Sequence, residues 1–313
     1  MERIGRIVIP TYNSRRWLEG CLNSVLEQAD AAWDVVVVDN ASSDGTPALV
    51  REGWPSVRVV ELERNVGYGA AANAGADAAP DGHLLVLNVD TIVCDGALDA
   101  MCDALTDNPD VGLVGPRLVH GDGRLQPSVH EFPTVGKLFA EALFLDRLPL
   151  VGARFSYHGR WYDYSRPARC DFLTGAVLMV RHEAWEACGG FDPGYVFFVE
   201  EVDLQRRLAS LGWPALIEPR AKVVHFGGKL PIPAERFLRS HEGYARYFSS
   251  DVSRGTPWLA RAALSLTALT RAIAWTLFWV ARPGSRPDSG RWAAMFWRVF
   301  GRSAVRLLGG RRD

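Results

Sequence analysis

Short apolar runs alternate with longer amphipathic segments along the first 115 residues. The runs have the length and composition of strands, and we predict strands at Arg6–Ile9, Asp34–Val38, Val57–Leu62, His83–Leu87 and Val111–Val114. The segments between them are helical in length and composition, and we predict helices at Arg15–Glu27, Thr46–Glu52, Tyr68–Ala79 and Gly96–Thr106. This regular alternation indicates right-handed βαβ units and a mostly parallel sheet flanked by helices.

The pattern loosens between residues 116 and 170, where glycine, proline and aromatic residues are mixed. A second compact block follows, with predicted strands at Ala176–Val180, Pro214–Ile217 and Ala221–Val224 and a predicted helix at Glu200–Leu211. We therefore predict one α/β domain made of two halves, residues 1–115 and 116–253, followed by a helical appendage at 254–313.

The appendage begins with an apolar, tryptophan-rich stretch at 256–281, which prolines separate from a last helix at Arg291–Leu308. Residues Ala262–Ala281 are about long enough to span a bilayer, but Arg271 near their middle costs about 2.5–3.5 kcal/mol on insertion scales. Arg261, Arg271 and Arg282 fall on one face of the first helix, and in the last helix the arginines share one face. Trp292, Phe296, Phe300 and Leu307 lie across from them. This pattern predicts amphipathic helices with aromatic anchors that lie on a membrane. The alternative is a helical pair packed on the body of the protein.

The net charge of −1 conceals a division between body and tail. Residues 254–313 contain 11 arginines, no lysine and two aspartates, a balance of +9 that leaves −10 on the remainder. Such a tail predicts contact with an anionic surface, and we expect the inner face of the cell membrane and no nucleic acid. Five cysteines without C-x-x-C spacing, and an N-terminus that opens directly into a strand, predict a cytoplasmic protein with reduced thiols.

Two predicted strands run directly into carboxylates: Leu84–Leu87 into Asn88-Val89-Asp90, and Val35–Val38 into Asp39. Ligands of open α/β sheets bind beyond the carboxyl ends of the strands. A carboxylate there can hold a hard cation, and through it a diphosphate. A single buried carboxylate such as Asp39 can also accept the imide N–H of a uracil or thymine ring. The alternative is that these aspartates only cap turns.

Four strand-end segments occur in a specific order, at residues 7–13, 35–46, 64–73 and 84–90. With them the chain resembles the inverting GT-A glycosyltransferases of family 2, and it is most similar to the rhamnosyltransferase branch. The resemblance covers about residues 4–250. It implies a GT-A fold, and it implies a donor site whose residues are Pro10, Thr11, Tyr12, Asp39, Asp44, Asn65, Gly67, Asn73 and Asn88, with Asp44 and Asn65 in supporting roles.

The resemblance also implies a metal site that holds Mg²⁺ or Mn²⁺. Asp90 belongs to this chain's version of the D-x-D motif, in which Asn88 replaces the first aspartate. A neutral amide keeps an oxygen ligand but weakens cation binding. His225 follows a predicted strand, at a position where a histidine completes the metal site or contacts the diphosphate.

On the acceptor side, the resemblance implies that Thr174 and Gly175 bind the acceptor. The acidic start of the helix at residue 200 is similar to the family's E-D-x-D element, in which the aspartate is the general base. Glu201 occupies that position here and is the favoured base, with Asp203 and Glu200 as rivals. The alternative is that these acidic residues only stabilise the start of a helix.

The resemblance thus predicts a metal-dependent inverting transferase that moves a sugar from a nucleotide diphosphate to a hydroxyl. Rhamnose from dTDP-rhamnose is the favoured donor, and the expected acceptor is a polyprenyl-diphosphate-linked sugar or another cell-envelope glycan.

Four other functions compete with this prediction. A transferase with a different donor sugar stays open because the residues do not fix the nucleotide or the sugar. A non-catalytic protein that binds sugar nucleotides or lipids stays open because Asn88 and Glu201 depart from the catalytic pattern. A processive synthase is disfavoured because Gln205 does not begin a Q-x-x-R-W element. A nucleotidyltransferase is disfavoured because Tyr12–Arg16 has no glycine-rich loop.

Overall fold

The computed structural model describes residues 5–29, 32–76, 82–149, 152–157, 162–196, 198–227, 234–250, 256–281 and 289–308. The chain divides into two compact units, one of residues 1–131 and 159–230 and the other of residues 132–158 and 231–313. This division differs from the predicted boundaries at 115 and 253, because residues 132–158 belong with the C-terminal helices.

A mixed sheet forms the centre of the first unit. In chain order its strands and those of a small accessory sheet are β1 (Gly5–Thr11), β2 (Trp33–Asp39), β3 (Arg58–Glu61), β4 (His83–Leu87), β5 (Thr91–Val93), β6 (Leu113–Val119), β7 (Val129–His130), β8 (Ala168–Cys170), β9 (Phe172–Leu173), β10 (Val177–Val180) and β11 (Ala215–His225). The main sheet has the order β3-β2-β1-β4-β10-β6-β11-β5, with β8 paired to β11, and β7 pairs with β9.

Strands β1 to β4 run parallel, as do β6 and β11, whereas β10 is antiparallel between β4 and β6. The helices of this unit are α1 (Arg15–Leu26), α2 (Thr46–Gly53), α3 (Tyr68–Ala76), α4 (Ala97–Asp107), α6 (His182–Cys188) and α7 (Glu200–Ser210). Apolar residues of α1, α2 and α4 form the core on one face of the sheet, and those of α3, α6 and α7 form it on the other. This arrangement confirms the predicted fold class.

Two boundaries inside the sheet differ from the prediction. Strand β6 continues to Val119, across the predicted boundary at residue 115, because it pairs with β11 along its whole length. The two predicted strands at 214–217 and 221–224 form the single strand β11, whose register shifts between Glu218 and Lys222. An irregularity that interrupts the sequence pattern therefore does not end the strand.

The second unit contains α5 (Val135–Ala142), α8 (Ala234–Tyr247), α9 (Pro257–Ala281) and α10 (Ser289–Leu308), with short 3₁₀ turns at Leu145–Arg147 and Gly152–Phe155. Helices α9 and α10 form an antiparallel hairpin, in which Ala268 meets Val299 and Trp275 stacks on Trp292. Within the described part of the chain, α9 is the one helix long and apolar enough to cross a bilayer.

The packing of the hairpin shows which predicted helix faces are buried. Arg271 lies on the packed side of α9, where it forms a 2.8 Å ion pair with Glu141 of α5. Trp292 and Phe296, which the sequence suggested as membrane anchors, pack against α9. The large apolar side chains that are exposed on α9 and α10 are instead Trp258, Ile273, Leu277, Trp279, Val280, Trp297 and Val305. Arg282, predicted on the same face as Arg271, lies outside the described residues.

Candidate active site

The carboxyl ends of β1 and β2 place Thr11 beside Asp39 in the parallel register. The Thr11 hydroxyl donates to the Val38 carbonyl at 3.3 Å and lies 3.5 Å from Asp39 Oδ1. Asp39 is 2% exposed, and its Oδ2 accepts the Ser42 N–H at 2.9 Å. Tyr12 is exposed at the same edge. The edge therefore presents an aromatic ring next to a buried carboxylate.

Pro10 and Asp44 are two further residues of the predicted donor site at this edge. Pro10 is buried in β1, the strand between β2 and β4, where it lies opposite Val38. Asp44 accepts the Thr46 hydroxyl at 2.5 Å and the Arg15 N–H at 3.0 Å, which joins the starts of α1 and α2. Burial acts to raise the pKa of Asp44, but the hydrogen bonds from Thr46 and Arg15 outweigh it and lower that pKa.

Asn40, which the sequence analysis did not single out, organises the neighbouring loop. Its amide nitrogen donates to Asn65 Oδ1 at 3.2 Å and to the Gly67 carbonyl at 3.1 Å, and its oxygen accepts the Val66 N–H at 2.8 Å. Gly67 has a φ of 92°, and an added Cβ would lie 2.5 Å from the Val196 carbonyl oxygen. Asn65 and Gly67 thus set the shape of the loop that leads into α3.

Asn73, predicted as a donor contact, makes two structural hydrogen bonds. Its Nδ2 donates to the Phe191 carbonyl at 2.8 Å, and its Oδ1 accepts the Phe191 N–H at 2.9 Å. Both ends of the amide therefore bond the backbone of one distant residue. Asn73 thus joins α3 to the loop before α7.

Asp90 and His225 come together through the antiparallel pairing of β5 with β11, which places His225 opposite Thr91. His225 Nε2 lies 3.5 Å from Asp90 Oδ1. Asp90 is partly exposed, with 24% of its side chain accessible. Asn88 precedes them and is fixed through its backbone, since its N–H donates to the Ala176 carbonyl at 2.8 Å.

The space beside this pair fits a small cation. A Cβ atom added to Gly227 would lie 2.5 Å from His225 Nε2 and 3.3 Å from Asp90 Oδ2, so the glycine leaves a cradle that a side chain would fill. A carboxylate oxygen and an imidazole nitrogen are suitable ligands for Mn²⁺, and the carboxylate alone suits Mg²⁺. Among the residues that the structure describes, no three His, Cys, Asp or Glu side chains form a complete metal cage.

Glu200 and Glu201 open α7 beside the predicted acceptor segment. A Cβ atom added to Gly175 would lie 2.9 Å from the Cβ of Glu201, so glycine lets the two segments approach. Glu200 is 7% exposed, and its Oε2 has no hydrogen-bond partner among the described residues. Burial, and then the charge of Glu201, raise the pKa of Glu200 to about 8. Burial also raises the pKa of Glu201, against backbone hydrogen bonds at the helix start that lower it.

Tyr68 is near both groups of carboxylates. Its hydroxyl donates to the Gly175 carbonyl at 3.4 Å. Burial raises the pKa of Tyr68 well above its usual value, and the charges of Glu200, Glu201 and Asp90 raise it further. The acidic start of α7 and Asp90 therefore both act on the same tyrosine.

Asp203, a rival for the role of base, is committed to an internal ion pair. Its Oδ2 accepts from Arg207 Nε at 2.8 Å, its Oδ1 accepts from the Tyr195 hydroxyl at 3.2 Å, and its side chain is 4% exposed. Arg207 also donates to the carbonyls of Cys188 and Gly190. Asp203 therefore anchors α7 to the preceding loop, because its oxygens are bonded on both sides away from solvent.

Thr174 is held at the other end of the acceptor segment. Its N–H donates to the Ser128 carbonyl at 2.8 Å, and its hydroxyl is 2.9 Å from His130 Nε2. Gln205, on the buried face of α7, bonds both the N–H and the carbonyl of Leu173. The sequence analysis took His130 as structural or surface and gave Gln205 no role, since neither stands in a recognisable motif.

The backbone before α7 is strained. Phe198 and Val199 have φ values of 65° and 72°, and a β-branched residue in this region is a genuine outlier. Such strain persists where the surrounding structure fixes it, and it is concentrated at functional sites. Here it sets the direction from which α7 presents Glu200 and Glu201.

Comparison with known proteins agrees with this geometry. The family model described as glycosyl transferase family 2 matches residues 6–164. The N-acetylglucosaminyl-diphospho-decaprenol L-rhamnosyltransferase of Mycobacterium tuberculosis is 32% identical over 231 residues, which are 70% of this chain and 75% of the relative.

Two solved structures share the fold. A mannosyltransferase from Pyrobaculum calidifontis in complex with GDP-Man and Mn²⁺ has a TM-score of 0.57 at 21% identity, over 98% of this chain and 88% of that one. GalNAc-T7 with UDP, GalNAc and Mn²⁺ has a TM-score of 0.56 at 13% identity, over 96% of this chain and 57% of that one.

Proposed function

Since the chain belongs to glycosyltransferase family 2, we propose that it is an inverting, divalent-metal-dependent transferase with Glu201 as general base. The observation that carries the proposal is the arrangement around Gly175 and Ala176. Glu201 lies against Gly175, and the Ala176 carbonyl accepts the N–H of Asn88, two residues before Asp90. A base and a cation site near one another are what a single displacement at an anomeric carbon requires.

In this reaction Glu201 takes the proton of the acceptor hydroxyl as that oxygen bonds to the anomeric carbon of the sugar. The bond between the anomeric carbon and the diphosphate oxygen breaks, and the diphosphate leaves from the opposite face. A divalent cation held by Asp90 and His225, with Asn88 beside them, would supply positive charge to the leaving diphosphate. Burial and the charge of Glu201 raise the pKa of Glu200 to about 8, so Glu200 favours its protonated form at neutral pH. Glu201 is the glutamate that lies against Gly175 of the acceptor segment, which is why we assign it the role of base.

The favoured donor is dTDP-rhamnose, and the favoured acceptor is a sugar linked to a polyprenyl diphosphate. Both are supported by the mycobacterial relative, whose name describes an L-rhamnosyltransferase that acts on N-acetylglucosaminyl-diphospho-decaprenol. Asp39 and Tyr12 would receive the nucleobase at the ends of β1 and β2. A different donor sugar is the second candidate, since the structurally similar mannosyltransferase was solved with GDP-Man.

The C-terminal hairpin supports a location at the inner membrane face. Ile273, Leu277 and Val280 are exposed at one turn spacing on α9, and Arg298 is exposed beside Trp297 on α10. Neither helix contains an acidic residue. Apolar side chains beside arginines suit an anionic lipid interface. The segment 273–281 is about 14 Å long at 1.5 Å per residue, so it would enter one leaflet and not cross a core of about 30 Å.

A transfer assay tests the proposal. The purified protein is incubated with polyprenyl-diphosphate-linked N-acetylglucosamine, Mn²⁺ or Mg²⁺, and a panel of nucleotide sugars that includes dTDP-rhamnose. We expect transfer that falls by about 10²–10⁴-fold in Glu201→Gln and is also lost in Asp90→Ala. The exposed Glu186→Gln serves as the matched control. Donor binding without transfer or donor hydrolysis, for every sugar in the panel, would instead identify a non-catalytic binding protein.

A further inference from the structure

The imidazole of His225 is contacted at both of its nitrogens. Nδ1 lies 3.2 Å from Gln126 Oε1, and Nε2 lies 3.5 Å from Asp90 Oδ1. The ring itself is buried, with 9% of the side chain exposed. The proposed function uses Nε2, but it gives Gln126 no role.

The position of the single proton on a neutral imidazole follows from these partners. An amide oxygen can only accept a hydrogen bond, so the nitrogen that faces it, Nδ1, carries the proton. Nε2 then directs its lone pair toward a carboxylate oxygen of Asp90. At 3.5 Å these two lone pairs repel each other, a cost that the hydrogen bond to Gln126 offsets and that a positive charge between them would remove. The absence of a Cβ at Gly227 leaves the room for that charge.

Gln126 is held in place by the main chain and not by the histidine alone. Its N–H donates to the carbonyl of Leu118 in β6 at 2.9 Å, next to a bridge between Val119 and Leu125. Strand β6 is the parallel neighbour of β11, which ends at His225. The amide oxygen therefore stands at a fixed place beside the imidazole.

We propose that Gln126 is a positioning residue that selects the Nδ1–H tautomer of His225 and so presents Nε2 to the divalent cation. The inference rests on the proposed function, because it takes His225 as a metal ligand. Hydrogen bonds of this kind fix the tautomer and orientation of metal-binding histidines, and their loss costs about 10–100-fold in metal affinity.

The tautomer can be measured without any metal. In a long-range ¹H–¹⁵N correlation spectrum of the ¹⁵N-histidine-labelled protein, His225→Ala identifies the His225 signals by their loss. We expect an Nδ1–H pattern for His225 in the wild type, and a shift toward the Nε2–H pattern in Gln126→Leu. An Nε2–H pattern in the wild type would overturn the proposal, because the amide would then donate to Nδ1.

Metal affinity gives the second measurement, with Mn²⁺ alone as the probe and electron paramagnetic resonance of free Mn²⁺ as the readout. We expect Gln126→Leu to weaken binding by about 10–100-fold. Gln126→Glu should bind within about threefold of the wild type, since a carboxylate accepts the same proton. Arg124→Ala, on the exposed turn nearby, should not differ from the wild type.

These variants distinguish the metal-binding role of His225 from the positioning role of Gln126. If His225→Ala binds Mn²⁺ as tightly as the wild type, the metal role in the proposed function is wrong and the inference fails with it. If His225→Ala weakens binding but Gln126→Leu does not, only the role of Gln126 is wrong. Rescue by Gln126→Glu excludes a general loss of folding as the cause.

Discussion

At the scale of single residues, the two glutamates that open α7 differ in their surroundings although they are adjacent. Glu200 points into the protein with one oxygen unpaired, and its pKa of about 8 keeps it neutral at physiological pH. Glu201 lies against Gly175, and burial raises its pKa too, although backbone hydrogen bonds at the helix start act in the opposite direction. The two carboxyls therefore differ in their hydrogen bonding, and both favour their protonated form more than an exposed glutamate does.

The raised pKa of Glu200 predicts how stability changes with pH. In the unfolded chain this carboxyl loses its proton near pH 4.5, but in the folded protein the pKa of about 8 keeps the proton bound up to about pH 8. The folded state thus binds more protons in between, and the free energy of unfolding falls as pH rises through that window. Glu200→Gln removes this contribution, so we expect the variant to gain about 1–3 kcal/mol over the wild type at pH 8 and little at pH 5.

Urea denaturation at the two pH values measures this effect. The matched control is Glu186→Gln, an exposed glutamate on α6 that should leave the pH dependence unchanged. A gain for Glu200→Gln that is equal at pH 5 and pH 8 would show that Glu200 is charged in the folded protein.

The sequence predicted those site residues whose position follows from a strand end. Asp39, Asp90 and His225 stand at such ends, and the structure brings Asp90 and His225 within 3.5 Å. The roles of Asn73 and Asp203 could not be predicted in this way. The side-chain amide of Asn73 bonds the backbone of Phe191, 118 residues away, and no local sequence pattern reveals this hydrogen bond.

At the scale of elements, the longer strands and helices were predictable because their apolar periodicity is strong. The short strands β5 and β9 were not predicted, since two or three residues show no period. The position of β10 was also not predictable. Local sequence does not state that this strand enters the sheet antiparallel between β4 and β6, yet this placement brings the acceptor segment beside Asn88.

The attachment of α7 yields a prediction at this scale. Asp203→Asn leaves the guanidinium of Arg207 without its carboxylate in a mostly buried setting, so we expect a loss of about 2–4 kcal/mol in stability. The exposed pair of Arg166 and Asp163 provides the control, and Asp163→Asn should cost less than about 1 kcal/mol. Thermal and urea unfolding measure both variants. Turnover abolished in Asp203→Asn with stability unchanged would transfer the role of base to Asp203.

At the scale of the whole molecule, the acidic body and the basic tail correspond to different kinds of surface. The sequence correctly indicated helices in the tail, and on α10 the arginines and the aromatic residues lie on the opposite faces that were predicted. The partners of these faces were not predicted, because Arg271 is paired with Glu141 and the aromatic residues Trp292 and Phe296 fill the hairpin core. Much of the apolar surface that stays exposed lies toward the end of α9, at Ile273, Leu277, Trp279 and Val280.

This exposed surface predicts which substitutions release the protein from a membrane. Replacing Leu277 and Val280 by serine removes apolar surface without touching the packed side of α9, so we expect binding to vesicles that contain phosphatidylglycerol to weaken by about tenfold or more. Co-sedimentation measures the bound fraction, and Leu211→Ser, at an equally exposed leucine of the first unit, is the matched control. Arg298→Gln should reduce the preference for anionic over zwitterionic vesicles by about fivefold. If the Leu277 and Val280 variant binds as the wild type does, the hairpin end is not the membrane contact, and its exposed face is left for another partner.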